Sequence, residues 1–231
     1  MRGTLAALMT AAAVVASGAH AQANLVVVEL YTSQGCSSCP PADALLNELA
    51  ERDDVLPLAL HVDYWDYIGW KDEFANPEHT RRQKAYAHAA GQRTIYTPQM
   101  IVGGLDHVVG YKPMHLAELI EDHGKRVSPV TVSLTRDGGG VRIHADPASG
   151  AGKMVVQLVR YMPNSTVAIE RGENAGKTIT YSNVVTGWKV LGGWDGSAAL
   201  DMRAETPGDD PVVVVVQKVG HKAIMAAARL R

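Results

Sequence analysis

The sequence lacks several features that would point to familiar protein classes. It has a single phenylalanine, Phe74, beside eight tyrosines and four tryptophans, so most of its aromatic side chains carry a polar group. Its 22 basic and 24 acidic residues form no dense basic block, which argues against a nucleic-acid-binding face. After residue 21 it has no apolar run long enough to span a membrane. We therefore expect a soluble globular protein that binds neither nucleic acid nor, in its mature form, a membrane.

The first 21 residues have the features of a secretory signal peptide. Arg2 supplies the positive charge, an apolar run covers Leu5 to Ala16, and Ala19-His20-Ala21 gives the small-x-small pattern before Gln22. An uncleaved membrane anchor is the alternative, but the run is shorter than the roughly 20 residues of a spanning helix. We expect residues 1–21 to be removed and the mature protein to be periplasmic or secreted.

Hydrophobic periodicity divides the rest of the chain into two parts. In residues 22–128, apolar strands and amphipathic helices alternate, with a polar helical insertion near 72–90 that is expected to face solvent. Residues 129–231 contain short strand candidates separated by glycine and proline turns. The last of these strand candidates could instead be a helix. The sequence therefore predicts an α/β domain followed by a mainly antiparallel β-sandwich domain.

Only two cysteines are present, in a Cys36-Ser37-Ser38-Cys39 motif between a predicted strand and a predicted helix. A bridge across two intervening residues constrains the unfolded chain very little, which favours a chemical role. The helix amino terminus favours a thiolate at Cys36, which we expect to be the more exposed and attacking cysteine. Cys39, in the first helical turn, can then resolve a mixed disulfide. Metal binding and an inert pair are the alternatives, although a structural zinc site needs four ligands.

A second motif, Thr97-Pro98, precedes a predicted hairpin at 99–111. With the order strand, CxxC, helix, strand, it resembles the thioredoxin superfamily over roughly residues 24–126. The resemblance implies a thioredoxin-like α/β domain in which Pro98 is cis and packs beside Cys36 and Cys39, while Thr97 offers a backbone contact to a substrate strand. A proline that merely begins a strand is the alternative. The sequence departs from the family at Gly35, where many thioredoxins have an aromatic residue.

Three further residues are candidates for the same site. Glu29 lies in an apolar strand, where an unpaired carboxylate is costly, so it is either a proton-handling group or part of a structural salt bridge. Trp65 belongs to an aromatic and acidic segment, 61–72, that leaves the carboxyl end of a parallel strand, where α/β sheets bind ligands. Trp65, Thr97 and Gln99 are predicted substrate contacts, and the alternative is a packed loop.

The segments around these motifs narrow the resemblance. Together with Arg171 to Thr178, they are similar to an uncharacterised family of secreted bacterial thioredoxin-like proteins, catalogued as a domain of unknown function, over nearly the whole mature chain. That family implies no established activity. The stretch from Gly172 to Thr178 is one residue short of a phosphate loop and predicts a β-turn with Gly176 at positive φ.

These observations predict an exported thiol-disulfide oxidoreductase that acts on protein thiols or disulfides and needs no cofactor or metal. One alternative is a Cu(I)-binding metallochaperone with His61 or His107 as a third ligand, although such chaperones separate their cysteines by three residues. The other is a non-catalytic binding module in which the sandwich engages a partner. The sequence identifies neither the redox direction nor the redox partner.

Overall fold

The computed structural model describes residues 25–231, so the predicted signal peptide lies outside the described residues. Its helices are α1 (Pro40–Ala50), α2 (Pro77–Ala89) and α3 (Pro113–Gly124), with a 3-10 turn at Asp66–Ile68. Its strands are β1 (Val26–Thr32), β2 (Val55–His61), β3 (Gln99–Val102), β4 (Asp106–Val109), β5 (Val132–Asp137), β6 (Gly140–Ala145), β7 (Met154–Ala168), β8 (Thr178–Trp194), β9 (Leu200–Glu205), β10 (Val212–Lys218) and β11 (Ile224–Leu230). The predicted hairpin at 99–111 is confirmed as β3–β4, and the last element is a strand.

Within this part of the chain the strands form two sheets. Eight of them make a mixed sheet in the order β11-β10-β7-β8-β2-β1-β3-β4, and the other three make a sheet in the order β5-β6-β9. Parallel pairing joins β1 to β2 along their whole length, and β3 runs antiparallel to β1 on its other side. Strands from both halves of the sequence therefore belong to one continuous sheet.

The predicted fold class, a thioredoxin-like α/β domain followed by a separate β-sandwich domain, is therefore wrong. Strands β7, β8, β10 and β11 extend the sheet that β1 to β4 begin, through a parallel contact between Ala59 of β2 and Val184 of β8. The Nδ2 group of Asn183 strengthens this seam by donating to the carbonyl of Pro57 at 2.9 Å. A strand's alternation of apolar residues identifies the strand but not the sheet it joins, so the predicted boundary near residue 128 does not separate two sheets.

The two faces of the large sheet carry different layers, because successive strand residues point to opposite sides. Val28 and Leu30 of β1 pack with α1 and α3 in one buried cluster. Val27 lies in the cluster on the other face, together with Tyr86 of α2. The three-stranded sheet packs against β7, β10 and β11 around a third cluster that includes Val156.

Helix α2 differs from its predicted role as a solvent-facing insertion. Asn76 caps it by accepting the N–H of Glu78 at 2.9 Å, and Pro77 begins its first turn. Its buried face is polar and includes Arg82, Gln83 and Tyr86. Because polar residues on a helix usually face water, the sequence pattern could not reveal this burial. No helix within residues 25–231 is both long and apolar enough to cross a membrane.

Candidate functional site

Three chain segments meet at one edge of the large sheet. The parallel strands β1 and β2 end there at Thr32 and His61, and the antiparallel β3 begins there at Gln99, which pairs with Tyr31. The Thr97–Pro98 bond is cis, as the resemblance implied, and Pro98 lies one position beyond the Tyr31–Gln99 pair. This register puts Pro98 at the end of β1, where the segment 33–39, here called the CxxC loop, begins.

A disulfide joins Cys36 and Cys39 at the amino end of α1, with their Cα atoms 5.4 Å apart. Cys39 is the N-cap residue and Pro40 starts the helix, and no side chain caps the helix. Instead, the Oγ of Ser38 lies 3.4 Å from the Sγ of Cys36, where a hydroxyl can donate to a thiolate. The helix end and this hydroxyl both favour negative charge on Cys36.

Both cysteines are buried in the disulfide form, Cys36 being 2% exposed and Cys39 0%. Cys36 was expected to be the more exposed cysteine, and in the disulfide form the two exposed fractions differ by little. Gly35 lies against Trp65, because a Cβ at Gly35 would come within 3.3 Å of the Cβ and carbonyl oxygen of that tryptophan. Trp65 thus takes the space beside the cysteines that an aromatic residue at position 35 would need. Because Cys36 is buried, a partner sulfur can reach it only if the CxxC loop or Trp65 moves locally.

The connection between β7 and β8, residues 169–177, contacts the CxxC loop and is called the hairpin tip below. Within it, the Nδ2 of Asn174 donates to the carbonyl oxygens of Gln34 and Cys36, each at 2.9 Å. Lys177 Nζ donates to the Oδ1 of Asn174 at 2.8 Å and so orients its amide. Gly176 has φ +80°, which agrees with the predicted turn. Asn174 was not recognised in the sequence, because no local signal links it to a loop 138 residues earlier.

A buried acid, Asp43, follows Cys39 by one helical turn. Its backbone N–H donates to the carbonyl of Cys39 at 3.1 Å, and its Oδ1 accepts from the Oγ1 of Thr32 at 2.7 Å. Burial raises the pKa of Asp43 to about 7, although the charge of His61 and the Thr32 hydrogen bond act in the opposite direction. Sequence analysis missed this residue, although its i, i+4 spacing from Cys39 puts both on one helix face.

A second buried polar pair lies close by. The Nδ1 of His61 is 2.7 Å from the Oδ2 of Asp72, and both side chains are fully buried. Asp72 also accepts the N–H of Gln34 at 2.8 Å, and the ring of Tyr181 contacts His61 edge-on at 4.8 Å. Within the described part of the chain, Asp43 Oδ2, His61 Nε2, Gln34 Nε2 and the Tyr181 hydroxyl are buried without a hydrogen-bond partner. Such groups are costly and concentrate at functional sites.

Glu29 lies on the opposite face of β1 from Thr32, and it is part of a structural ion pair. Arg82 donates to its carboxylate from Nε at 2.7 Å and from Nη2 at 2.9 Å, and the Tyr86 hydroxyl donates at 2.7 Å. Burial alone would raise the pKa of Glu29, but the charge and hydrogen bonds of Arg82 outweigh it, so the pKa is lowered. These contacts favour the salt-bridge interpretation of Glu29 over the proton-handling one.

The predicted substrate contacts fall into two groups. Trp65 and Thr97 are brought together, since the indole Nε1 donates to the Oγ1 of Thr97 at 2.7 Å. Tyr67, 80% exposed, stacks on Trp65 with ring centroids 6.4 Å apart and extends this aromatic surface. Gln99 is buried and its Oε1 accepts from the Nε2 of Gln83 at 2.8 Å, so its side chain is engaged inside the protein.

The two histidines considered as third ligands of a metal each lie within hydrogen-bond distance of a protein side chain. His61 is engaged with Asp72, and His107 lies on β4 with its Nδ1 3.3 Å from the Nε2 of Gln99. Across residues 25–231, no group of three or more His, Cys, Asp and Glu side chains is arranged to hold a metal ion.

Comparisons with known proteins agree on the extent of the similarity. A family model described as "protein of unknown function (DUF1223)" matches residues 27–217. The X-ray crystal structure of an Agrobacterium tumefaciens protein is similar with 34% identity and a TM-score of 0.76, covering 89% of this chain and 93% of that one. HBP35 of Porphyromonas gingivalis, at 16% identity and a TM-score of 0.65, covers 90% of this chain and 74% of its own and shows the fold alone. Among curated proteins, no sequence matches.

Proposed function

The chain belongs to the DUF1223 family, and we propose that it is an exported thiol-disulfide oxidoreductase that acts through its CxxC pair. The observation that supports this proposal most directly is the Cys36–Cys39 pair at the amino end of α1 with a buried acid, Asp43, one turn behind it. Export rests on the predicted signal peptide in residues 1–21.

The proposed reaction transfers two electrons between the cysteine pair and a partner dithiol. In the oxidising direction, a partner thiolate attacks Cys36 Sγ, a mixed disulfide forms, and the Cys36–Cys39 bond breaks with its electron pair passing to Cys39 Sγ. A second partner thiolate then attacks the partner sulfur of the mixed disulfide and releases Cys36. The partner loses two electrons and two protons, and the cysteine pair gains them. The reducing direction runs the same steps backwards.

Asp43 has a proton-handling role in this proposal. In the reducing direction, the buried Cys39 must lose a proton before it can attack the mixed disulfide, because the thiolate is the nucleophile. An acid with a pKa of about 7 is partly ionised near neutral pH and can accept that proton. Its position four residues after Cys39 on α1 puts the carboxyl on the face of the helix that carries the cysteine.

The aromatic surface supports a polypeptide as the substrate. Trp65 lies against Gly35 and the exposed Tyr67 stacks on Trp65, so a segment bound over these rings would bring its own sulfur close to the CxxC loop. Aromatic rings offer a large apolar contact area that tolerates different partner sequences. We therefore propose extended or unfolded polypeptides with cysteine as the substrate class.

Trapping of covalent partners tests the proposal. In cells that export the protein, Cys39→Ser is expected to accumulate mixed disulfides on Cys36, seen as dithiothreitol-sensitive bands on a non-reducing gel. Cys36→Ser is the matched control and is expected to trap few or none, since Cys39 is fully buried. The purified wild-type protein should also catalyse insulin reduction by dithiothreitol. Absence of both adducts and catalysis would contradict the proposed function.

A further inference from the structure

One peptide unit of the CxxC loop is held from both sides by neighbouring residues of the hairpin tip. The carbonyl of Cys36 accepts from the Nδ2 of Asn174 at 2.9 Å, and the N–H of the next residue, Ser37, donates to the Oε2 of Glu173 at 3.4 Å. The Cys36 carbonyl also accepts the N–H of Cys39 at 3.2 Å. Asn174 is buried, 1% exposed, and its amide is fixed by Lys177, so the hairpin tip holds this peptide unit in one orientation.

The two hydrogen bonds with Asn174 and Glu173 bring the negative charge of the Glu173 carboxylate to the amino end of α1. A thiolate at Cys36 gains from the positive helix end and from nearby N–H donors. The Glu173 carboxylate accepts the N–H of Ser37, the residue that follows Cys36, and so places a negative charge one residue from the cysteine. Like charges disfavour each other, so Glu173 opposes ionisation of the Cys36 thiol.

We infer that Glu173 sets the redox poise of the Cys36–Cys39 pair by destabilising the Cys36 thiolate, with Asn174 as the positioning residue that holds the loop against it. A stabilised thiolate makes a dithiol hard to oxidise and its disulfide a strong oxidant. Glu173 acts in the opposite sense and makes the pair more reducing. The inference rests on the proposed function for its biological meaning, but the equilibrium it concerns belongs to the chain itself.

The test is the equilibrium of the full chain with reduced and oxidised glutathione, together with the pH dependence of Cys36 alkylation. Glu173→Gln is expected to lower the pKa of the Cys36 thiol and to shift the equilibrium toward the dithiol by about threefold to tenfold, a tenfold change corresponding to about 30 mV. Glu173→Lys should shift it further, and Glu173→Asp should stay near wild type because it keeps the charge. Glu173 is exposed, so these variants are expected to fold, which circular dichroism checks.

Glu170→Gln is the matched control, because Glu170 is an exposed acid of the same hairpin tip. The shift caused by Glu173→Gln should shrink at 1 M salt, where the Debye length is about 3 Å. An unchanged poise in Glu173→Gln, a shift toward the disulfide, or an equal shift in Glu170→Gln would overturn the inference. A normal charge-dependent shift in a protein that traps no partners and reduces no insulin would leave this inference standing and defeat the proposed function.

Discussion

Replacing Asp43 with asparagine is expected to stabilise the protein in alkaline solution. The folded state raises the pKa of this carboxyl from its ordinary value of 3.8 to about 7, with burial as the largest cause. Between these pH values the unfolded chain loses its Asp43 proton before the folded protein does, so the free energy of unfolding falls as pH rises. Below pH 3.8 the carboxyl is protonated in both states and the penalty is absent. Above about pH 7 the penalty is complete.

The size of the penalty follows from the shift of about three pKa units. At about 1.4 kcal/mol per unit, ionised Asp43 costs the folded state on the order of 4 kcal/mol at pH 8. Asparagine cannot ionise and keeps an oxygen to accept the Thr32 hydroxyl. The asparagine amide has one more donor than a protonated carboxyl, and leaving this second N–H without an acceptor costs about 1 kcal/mol. Asp43→Asn should therefore raise the free energy of unfolding by about 3 kcal/mol at pH 8 and change it by about 1 kcal/mol or less at pH 4.

Urea denaturation of the oxidised protein from pH 4 to pH 9 measures this difference. The wild-type stability should decline between pH 4 and pH 7 relative to Asp43→Asn, and the two curves should run parallel above that range. Glu48→Gln, which changes an exposed acid on the same helix, is the control and should follow the wild type. Equal pH slopes for wild type and Asp43→Asn, or a less stable Asp43→Asn at pH 8, would refute the argument.

Two other substitutions separate structural residues from functional ones. Glu29→Gln leaves Arg82 buried without its charge partner and should lower the free energy of unfolding by about 3–5 kcal/mol. Because the pKa of Glu29 is lowered, its stabilising effect is present above its ordinary pKa of 4.5 and is lost as pH falls through the folded value, so the deficit should shrink in acid. The pH profile of Cys36 alkylation should not change, and a shifted profile would restore the proton-handling role. Trp65→Phe removes the 2.7 Å donation to Thr97 and should raise the KM for polypeptide disulfides at unchanged Cys36 pKa; an unchanged KM would contradict a substrate contact.

Features set by short stretches of sequence were predictable. Pro40 marks the start of α1, the glycine-rich connection after residue 102 marks the β3–β4 hairpin, and the resemblance carried by Thr97-Pro98 led to the cis bond. Each of these depends on residues within a few positions of each other, where turn chemistry and helix capping act. The resemblance to a domain-of-unknown-function family is likewise confirmed by the match over residues 27–217.

Features set by distant residues were not predictable in the same way. The contact of Ala59 with Val184 decides that the two halves of the chain share a sheet, and nothing in either strand's pattern names its neighbour. The hydrogen bond of Asn174 with the Cys36 carbonyl joins residues that are 138 positions apart, and the sequence around Asn174 indicated only a glycine turn and the family resemblance. Helix α2 was misplaced because its buried face is polar. In each case the deciding interaction forms only in the assembled fold.

Glu29 and Asp43 differ in how the fold satisfies a buried acid, and the difference separates a structural carboxylate from one proposed to handle a proton. Both are almost fully inaccessible, and burial raises the pKa of each. Glu29 recovers that cost through Arg82, Tyr86 and Tyr31, so its carboxylate is stable and has little tendency to exchange a proton. Asp43 has only the Thr32 hydroxyl, and its Oδ2 has no partner in the described structure, so its pKa lies near neutrality. The sequence offered Glu29 as a candidate proton-handling group because it is a carboxylate in an apolar strand, with a structural salt bridge as the alternative. Hydrogen-bond satisfaction, which only the fold determines, favours the salt bridge for Glu29 and leaves Asp43 as the acid proposed to handle a proton.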